Sequence, residues 1–266
     1  MIKILVPLDF STTSSDALLY AIQFFQAAPL EITAIHVYST NPTSMALKNI
    51  DAIIERDTRR TLDKLIEKVH QDYPEVTLKH KVLKDHVVSA ITSLGDSGDY
   101  DFIVMGTQGA SGLKEVFLGS VAGGVISKTS APVIVVPAGC GFQPPDEIVL
   151  ALSDTPLSTA KVADPLRKIA SLHQSKIKVL HIEDKKLHEI EKALTDIEDL
   201  NPSADYAFGT GDTNKDLNDY LMKNDSKLLC LIRGEKGFLV RLLKQSVTLK
   251  QTFESPVPLL ILHDTN

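Results

Sequence analysis

The chain has 266 residues, 43% of them hydrophobic and 23% charged, with a formal net charge of −6 and two cysteines. This composition is typical of a globular protein with one large domain or two average ones, and no apolar run approaches the roughly 20 residues that span a bilayer. The acidic balance argues against sequence-independent binding to nucleic acid or to an anionic membrane surface. Because Cys140 and Cys230 lack zinc-type or disulfide-type spacing, we expect a reducing, cytoplasmic location.

Short apolar runs alternate with longer amphipathic segments throughout the first half of the chain. The apolar runs predict five strands, at residues 2–8, 32–38, 76–83, 102–105 and 132–137. The segments between them predict helices at residues 11–27, 46–73 and 86–94, and from a glycine-rich loop through about residue 128. Strands that are apolar throughout and separated by helices indicate a parallel sheet covered on both faces.

The second half of the chain repeats the apolar pattern of the first. Two matches share an offset of 145 residues and a third follows in the same order: Ile4–Asp9 with Val149–Asp154, Ala34–Val37 with Val179–Ile182, and Ser130–Val136 with Glu254–Leu260. Three matches in order indicate an internal duplication. Residues 138–145 interrupt both hydrophobic periods and indicate a linker. The sequence therefore predicts two tandem α/β domains, at residues 1–140 and 146–266.

A glycine-rich segment, GTQGASGLKEVFLGS at residues 106–120, follows the predicted fourth strand. In an open parallel sheet, ligands bind beyond the carboxyl ends of the strands, where the strand order reverses. A helix starting near Gly119 and Ser120 would direct unpaired N–H groups and the positive end of its dipole towards a phosphate. Asp9, at the end of the first strand, could accept from a ribose hydroxyl or help to hold a cation. The segment has neither the P-loop nor the GxGxxG pattern, so by itself it is equally compatible with a simple turn.

The spacing of these glycines matches a family motif. Gly106, Gly109, Gly119 and Ser120 follow the pattern G-x2-G-x9-G-[ST] of the ATP-binding branch of the universal stress protein family. Other segments resemble that family in the correct order: Val6–Ser11, Ile35–Val37 and Ser130–Val136. The resemblance covers the first half and, more weakly, the second, so the chain resembles a tandem universal stress protein.

The resemblance implies that each half is a doubly wound, Rossmann-like domain of the adenine nucleotide alpha hydrolase type, with five parallel strands in the order 3-2-1-4-5. It also implies that an adenine nucleotide such as ATP binds, with Mg²⁺ between its phosphates. Leu8 departs from the small polar residue common at its position, which removes a side-chain donor. Ten residues match the nucleotide-binding positions of the family: Pro7, Leu8, Asp9, Val37, Met105, Gly106, Gly109, Gly119, Ser120 and Val121.

The second half keeps less of the motif. An alignment on the apolar run before Gly234 retains Gly234 and Gly237 but no third glycine, and it puts Arg233 in the place of Met105. We therefore expect a decayed or repurposed site in the second half, where Arg233 and Lys244 could still contact an anion.

Other polar residues at the predicted strand ends are more simply explained as structural. His36 and His181 occupy equivalent positions on two strands, flanked by apolar residues, and we expect neither to bind a metal ion. Asp154 aligns with Asp9 but lacks the glycine loop, so it is a candidate helix cap.

No nucleophile–base arrangement stands out, so the sequence assigns no catalytic residue and no metal ligand. It predicts an ATP-binding stress protein in which the nucleotide is a signal or conformational ligand, read by an unknown protein partner. A nucleotide-independent interaction module and a slow ATPase are the alternatives.

The last strands of the two halves, Val133–Val136 and Leu259–Leu262, are apolar edges that need cover. We expect them to pair with each other, which would make the chain an internal pseudo-dimer. Further association into a homo-oligomer is compatible with this arrangement.

Overall fold

The computed structural model describes residues 1–39, 48–107, 119–152, 157–183, 194–208, 210, 212–234 and 255–264. The strands are β1 (Ile2–Pro7), β2 (Leu30–Tyr38), β3 (Thr77–Lys84), β4 (Phe102–Gly106), β5 (Val133–Val136), β6 (Glu147–Ala151), β7 (Lys176–Glu183), β8 (Ser203–Phe208), β9 (Leu228–Arg233) and β10 (Leu259–His263). The helices are α1 (Thr12–Phe25), α2 (Lys48–Asp72), α3 (Val87–Gly95), α4 (Ser120–Lys128), α5 (Asp164–His173) and α6 (Thr213–Lys223), with 3-10 turns at Ala160–Ala163 and Glu198–Leu200. Strands and helices alternate as the hydrophobic pattern predicted.

The strands form one sheet in the order β3-β2-β1-β4-β5-β10-β9-β6-β7-β8. Every pair within the first half is parallel, and the first five positions give the predicted order 3-2-1-4-5. The second half is parallel as well and has the same order in mirror sequence, from β10 back to β8. The architecture is therefore an α/β, Rossmann-like fold.

The two halves meet at β5 and β10, which pair antiparallel with Leu260 opposite Ile134. This is the pairing of apolar edges that the sequence predicted. Since the ladder continues through this junction, the two sets of five strands form one ten-stranded sheet.

Helices cover both faces of the sheet. Helices α1, α2 and α5 pack on one face, where they bury residues such as Phe24, Leu62 and Ile169. Helices α3, α4 and α6 pack on the other, with Ile91 and Val125 buried beneath them. Apolar side chains thus line both faces of the strands, as the parallel topology requires.

Hydrogen bonds at the ends of β1 and β6 correct the predicted alignment of the two halves. The N–H of Leu8 donates to Ile35 O at 2.7 Å, and the N–H of Leu152 donates to Leu180 O at 3.2 Å. Leu152 is therefore the counterpart of Leu8, at an offset of 144 residues and not 145. The residue that follows Leu152 is Ser153, so Asp154 is not the counterpart of Asp9. Residues 153–156, with Asp154, lie outside the described residues.

The two histidines expected to be structural bond to these same leucines. His36 Nδ1 lies 2.7 Å from Leu8 O, and His181 Nδ1 lies 3.3 Å from Leu152 O. Each histidine ties the end of its strand to the loop that follows the neighbouring strand.

The register at β9 also corrects the predicted match between the last strands of the two halves, which had aligned Pro132 with Pro256. The N–H of Ile103 donates to Pro132 O at 2.9 Å, and the N–H of Leu229 donates to Pro258 O at 3.0 Å. This common offset of 126 residues makes Pro258, and not Pro256, the counterpart of Pro132. The two prolines stand two residues apart in an apolar run, so the sequence pattern fits either one.

The same offset changes which residues of β9 correspond to the end of β4. Leu231 is the counterpart of Met105, Ile232 of Gly106 and Arg233 of Thr107. Arg233 therefore does not replace Met105, and Gly234 does not preserve the first glycine of the motif.

Candidate functional site

A crevice of about 250 Å³ opens at the carboxyl ends of β1, β2 and β4. It lies where the strand order reverses, because the chain leaves β1 towards β2 on one side and returns to β4 on the other. This is the position at which doubly wound sheets bind their ligands. The residues that line it are Pro7, Leu8, Asp9, Ile35, Val37, Val87, Ile91, Met105, Gly106, Thr107, Gly119, Ser120, Val121 and Ala122.

Nine of the ten predicted site residues line this crevice together. The tenth, Gly109, lies outside the described residues, as does Gly112 of the same loop. The family motif therefore identified residues that meet in space, although they come from four separate segments of the chain. That they bind a nucleotide is still a prediction.

Sequence reasoning missed five lining residues, namely Ile35, Val87, Ile91, Thr107 and Ala122. Val87 and Ile91 stand four residues apart, which puts both on one face of α3. That spacing is visible in the sequence, but nothing in it says that α3 lies over the end of β1. Thr107 directly follows Gly106 and was passed over because it falls between the motif glycines.

One end of the crevice is apolar. Leu8, Ile35 and Met105 are almost fully buried, and Val37, Val87 and Ile91 complete the surface around them. Such a surface suits a flat, weakly hydrated group and supplies packing without hydrogen bonds.

The other end of the crevice is formed by the start of α4. Its N-cap is Gly119, which has no side-chain oxygen to bond the free N–H groups of the first turn. Among the described residues, the ladder of this helix begins with the bond from the N–H of Gly123 to Gly119 O at 2.8 Å, which leaves the N–H groups of residues 120–122 ahead of it. By contrast, α1 is capped by Ser11, whose Oγ accepts from the N–H of Ser14 at 3.1 Å. The start of α4 therefore offers donors and a positive dipole end to an anion.

Gly106 has a packing role that is independent of any ligand. A Cβ at this position would lie 2.6 Å from Thr13 Cγ2 and 3.0 Å from Thr13 O, so α1 passes too close for a side chain. This glycine alone is thus no indication of a phosphate site.

Asp9 is held by the residues that start α1. Its Oδ1 accepts from the N–H of Ser11 at 3.0 Å and from Ser11 Oγ at 2.5 Å. Phe10 follows with φ 63°, a left-handed conformation uncommon for a residue with a side chain. Its ring stacks on His36 at a centroid distance of 4.6 Å. The Asp9 carboxylate is therefore fixed at the rim of the crevice.

Thr107 joins the two ends of the crevice. Its N–H donates to Val136 O at 3.0 Å, and its carbonyl accepts from the N–H of Gly119 at 2.6 Å. The residue is 8% exposed, and its Oγ1 is buried and has no hydrogen-bond partner among the described residues.

The corresponding position in the second half has a different structure. Ile232, 7% exposed, puts a side chain where Gly106 has none. Arg233 Nη1 donates to Ile126 O at 3.0 Å, near the C-terminal end of α4. Lys244, the other predicted anion contact, lies outside the described residues, as does Gly237. The described part of β9 is therefore used for contact with the first half.

His263, at the end of β10, lies in the same region as Arg233. Burial, followed by the positive charge of Arg233, lowers the pKa of His263 to about 4, and Asp96 acts weakly in the opposite direction. Neither ring nitrogen of His263 has a hydrogen-bond partner among the described residues. This histidine is therefore neutral at physiological pH.

Neither metal clusters nor membrane helices appear in the part of the chain that the structure describes. Within it, no group of three or more His, Cys, Asp or Glu side chains could hold a metal ion, and no helix is long and apolar enough to cross a bilayer. Cys140 and Cys230 are both free, and burial raises the pKa of each thiol.

These features define a doubly wound α/β protein with a crevice at the switch point of its first half. Residues 1–137, just over half of the chain, match the model of the Universal stress protein family, and the chain belongs to that family. Membership supports a role in the stress response.

Two relatives and two solved structures illustrate the similarity. Two universal stress proteins of Methanocaldococcus jannaschii are 30% identical over 139 residues and 28% identical over 154 residues. Each alignment covers 50% of this chain, and 81% and 93% of the two relatives. The structure of a universal stress protein from Archaeoglobus fulgidus has a TM-score of 0.72 at 16% identity, covering 99% of this chain and 97% of its own.

A Pseudomonas aeruginosa structure gives a TM-score of 0.60 at 13% identity, over 98% of this chain and 92% of its own. At such low identity, both structural likenesses show the fold alone. They extend over both halves of the chain.

Proposed function

We propose that the first half of this chain binds ATP, or another adenine nucleotide, in the crevice at the ends of β1 and β4. The observation that carries the proposal is the junction of an apolar pocket with the uncapped start of α4. A nucleotide has the complementary form, because a flat base and a polyanionic tail are joined by a sugar. The G-x2-G-x9-G-[ST] spacing of the intervening loop supports the same assignment.

Each part of the nucleotide has a matching set of residues. The base would lie among Ile35, Val37 and Met105, and Asp9 would accept a hydrogen bond from a ribose hydroxyl. The phosphates would meet the N–H groups at the start of α4 and the hydroxyl of Ser120. Mg²⁺ would neutralise part of the phosphate charge and would take most of its ligands from phosphate oxygens. The described residues that line the crevice include no basic side chain, so we assign the phosphate charge to the helix donors and the cation.

The chain as a whole would act in the cytoplasm as two tandem units, residues 1–140 and 146–266, arranged as an internal pseudo-dimer. The antiparallel pairing of β5 with β10 supports this arrangement. A further link is the ion pair between Lys168 Nζ and Asp101 Oδ1, at 2.6 Å. The second unit would bind no nucleotide at its own switch point and would instead transmit the state of the first unit to a protein partner.

The first experiment identifies the ligand without assuming it. The full chain is purified with no added nucleotide and denatured, and any small molecule released is identified by mass spectrometry. The same preparation is melted with and without MgATP. Ligand at 100 times its Kd stabilises the protein by about 2.7 kcal/mol, which raises Tm by about 5–10 °C.

A pair of glycine variants gives the control. Gly119→Val obstructs the N-cap of α4, whose φ of −57° and ψ of 160° a side chain can adopt, so the variant should fold but lose the MgATP shift. Gly141→Val changes a glycine with nothing within 4 Å of its added Cβ, and should keep the shift. No released nucleotide and no shift in the unmodified chain would favour the nucleotide-independent interaction module. Steady ADP release that stops in Ser120→Ala would identify a slow ATPase.

A further inference from the structure

We propose that a cavity between the two halves of the chain is a second small-molecule site, separate from the crevice. Its ligand is an uncharged molecule with an apolar body and a polar group that accepts a hydrogen bond from the Tyr20 hydroxyl. This assignment does not depend on nucleotide binding in the crevice, and it gives the junction of the halves a binding role of its own.

The cavity has a volume of about 330 Å³ and lies beside the junction of β5 and β10. Its walls come from α1, from residues 139–143 after β5, from the turn between α6 and β9, and from the segment before β10. Both halves therefore contribute to it. The described residues that line it are all different from those that line the crevice.

Tyr20 is the buried polar group of this cavity. The residue lies on α1, lines the cavity and is 3% exposed. Its hydroxyl makes no hydrogen bond to any described residue, yet it is not one of the unpartnered polar atoms that the surrounding protein seals off completely. Ser226 Oγ, in the same wall, is sealed in this way and cannot reach a ligand. The Tyr20 hydroxyl is therefore the one that opens into the cavity.

The protonation of Tyr20 makes it a donor. Burial, followed by the nearby Cys140 thiol, raises the pKa of Tyr20, so the phenol is neutral at physiological pH. A buried hydroxyl without a hydrogen bond destabilises a protein, and here the acceptor has to come from the contents of the cavity. Water or a ligand can supply it.

Apolar side chains form much of the remaining wall. Leu221, Val257 and Pro258 are buried, and Met222 beside them is 68% exposed. All four line the cavity and offer packing without side-chain hydrogen bonds. A pocket with apolar walls and few polar groups is typical of a site for a small organic molecule.

The charged side chains of the lining neutralise each other. Lys227 Nζ lies 2.6 Å from Asp225 Oδ1, and the other described residues of the lining carry no formal charge. The Cys140 thiol is neutral as well, because burial raises its pKa. A charged ligand would lose hydration without gaining a free counter-ion, so an uncharged ligand fits the cavity best.

Hydrogen-bonded turns hold the walls of the cavity in place. The N–H of Cys140 donates to Pro137 O at 3.2 Å, and the N–H of Ser226 donates to Leu221 O at 3.0 Å. The cavity is therefore formed without a ligand, as most small-molecule sites are.

The first test compares three probes of similar size, namely benzamide, benzoate and toluene, by ligand-observed NMR titration of the full chain. Benzamide is uncharged and has a carbonyl acceptor, so it should bind with a Kd on the order of 1 mM, as expected for so small a molecule. Benzoate carries a charge and toluene lacks an acceptor, so each should bind about fivefold more weakly. Saturating MgATP should not displace benzamide.

Two tyrosine variants test the hydroxyl. Tyr20→Phe should weaken benzamide binding about fivefold and leave toluene binding unchanged, because it removes one hydrogen bond to an uncharged group. Tyr73→Phe is the matched control and should bind benzamide normally, because the Tyr73 hydroxyl accepts from Gln23 Nε2 at 3.2 Å and does not line the cavity.

Stability without a probe gives a second readout. Tyr20→Phe should not lower Tm, since the hydroxyl that it removes has no partner in the described protein. Tyr220→Phe should lower Tm, because the Tyr220 hydroxyl donates to Asp205 Oδ2 at 2.7 Å. If Tyr20→Phe lowers Tm as much as Tyr220→Phe, the Tyr20 hydroxyl has a structural partner and the inference is wrong.

The cysteines locate the bound probe. Cys140 lines the cavity and is partly exposed, whereas Cys230 is fully buried in β9. Iodoacetamide should therefore alkylate Cys140 in the folded chain and leave Cys230 unmodified, as mass spectrometry of the digested chain would show. Benzamide at about ten times its Kd should slow this alkylation about tenfold.

The outcomes separate this inference from the proposed function. The second site is overturned if benzamide shows no saturable binding, if it leaves Cys140 unprotected, or if MgATP displaces it, since the probe would then occupy the crevice. Equal binding of benzamide to Tyr20→Phe and to the unmodified chain would overturn the role of the hydroxyl. A chain that binds benzamide as expected but no nucleotide would overturn the proposed function and leave the second site intact.

Discussion

The ends of β4 and β9 hold matching positions in the two halves of the sheet, yet their described residues differ: those of β4 line a crevice, and those of β9 include an arginine that contacts the first half. Thr13 of α1 packs so close to Gly106 that a Cβ there would clash with it. The counterpart of Gly106 in the second half is Ile232, which has a buried side chain. The next residue is Thr107 in one half and Arg233 in the other. The two strand ends thus differ in their side chains, while the ladder beneath them stays the same.

The helices that follow the first strands differ as well. Helix α1 begins at Thr12, five residues after β1 ends at Pro7, while α5 begins at Asp164, thirteen residues after β6 ends at Ala151. The early start of α1 brings Thr13 against Gly106 and excludes any Cβ there. We infer that these two differences are linked, because a helix that starts later need not pack against the strand end, where the second half has isoleucine and not glycine.

The largest effect is expected where the halves share a core. Phe24 is fully buried, and its ring lies 4.5 Å from that of His173 in the second half. Phe24→Ala should lower the free energy of unfolding by about 3–5 kcal/mol. Leu19→Ala on the same helix, at 43% exposure, should cost less than about 0.5 kcal/mol. Thermal denaturation measures both, and equal Tm values for the two variants would show that Phe24 contributes no more to stability than the exposed Leu19.

Gly106→Ile gives the first half the residue of the second. The new side chain would meet Thr13 Cγ2 and the Thr13 carbonyl, so we expect a loss of about 1–3 kcal/mol from overpacking, together with loss of the MgATP shift. Gly141→Ile, at a site with open space, is the control for stability. An unchanged Tm with full nucleotide binding would mean that the contrast between Gly106 and Ile232 does not explain why the halves differ.

Arg233→Met removes the contact of the second half with the end of α4. The loss of one charged hydrogen bond to Ile126 O should cost about 1–2 kcal/mol in thermal denaturation. Since α4 begins at the crevice, the same variant measures how far the second half influences nucleotide affinity. A wild-type Tm in this variant would show that water replaces the guanidinium at no cost.

The smallest effect concerns pH. The folded pKa of His263, about 4, is below the usual value near 6.5, so the unfolded chain binds more protons between these two pH values. Stability contributed by the neutral form is therefore complete above pH 6.5 and is lost as the pH falls towards 4. His173, whose pKa is lowered mainly by burial, acts in the same direction. Between pH 7 and pH 5 we expect a loss on the order of 1 kcal/mol from His263.

His263→Leu should flatten the dependence of Tm on pH over this range. Arg233→Met should flatten it in part, because removal of the neighbouring positive charge lets the pKa of His263 rise. If Tm depends on pH equally in the unmodified chain and in His263→Leu, His263 does not cause the loss of stability at low pH.

Much of the fold could be predicted because buried parallel strands are continuous apolar runs. The runs at β1, β4 and β5 fix both the strands and their separation by helices, and the apolar edges at β5 and β10 indicated their pairing. The outer strand β3 was placed within one residue at each end, although three of its eight residues are lysines and one is a histidine.

The site was predicted less completely, for physical reasons that differ between residues. The family resemblance identified nine crevice residues at the ends of β1, β2 and β4 and at the start of α4. It missed Val87 and Ile91, because the approach of α3 depends on tertiary packing, and it also missed Ile35, Thr107 and Ala122 beside the matched positions. The second-half alignment slipped by one residue at β6 and by two at β9, since apolar runs can be shifted against each other without loss of match. Hydrogen bonds such as Leu152 N–H to Leu180 O resolve that ambiguity.

The antiparallel junction of β5 and β10 has a consequence for symmetry. The carboxyl ends of the first-half strands lie along one edge of the sheet, and those of the second half lie along the opposite edge. Two identical chains joined in this way would have to present the same crevice at both edges, because any substitution would appear twice. A single chain that encodes both halves is released from that constraint. It can keep glycine at position 106 and place isoleucine at 232, so the two edges of the sheet can take up different roles.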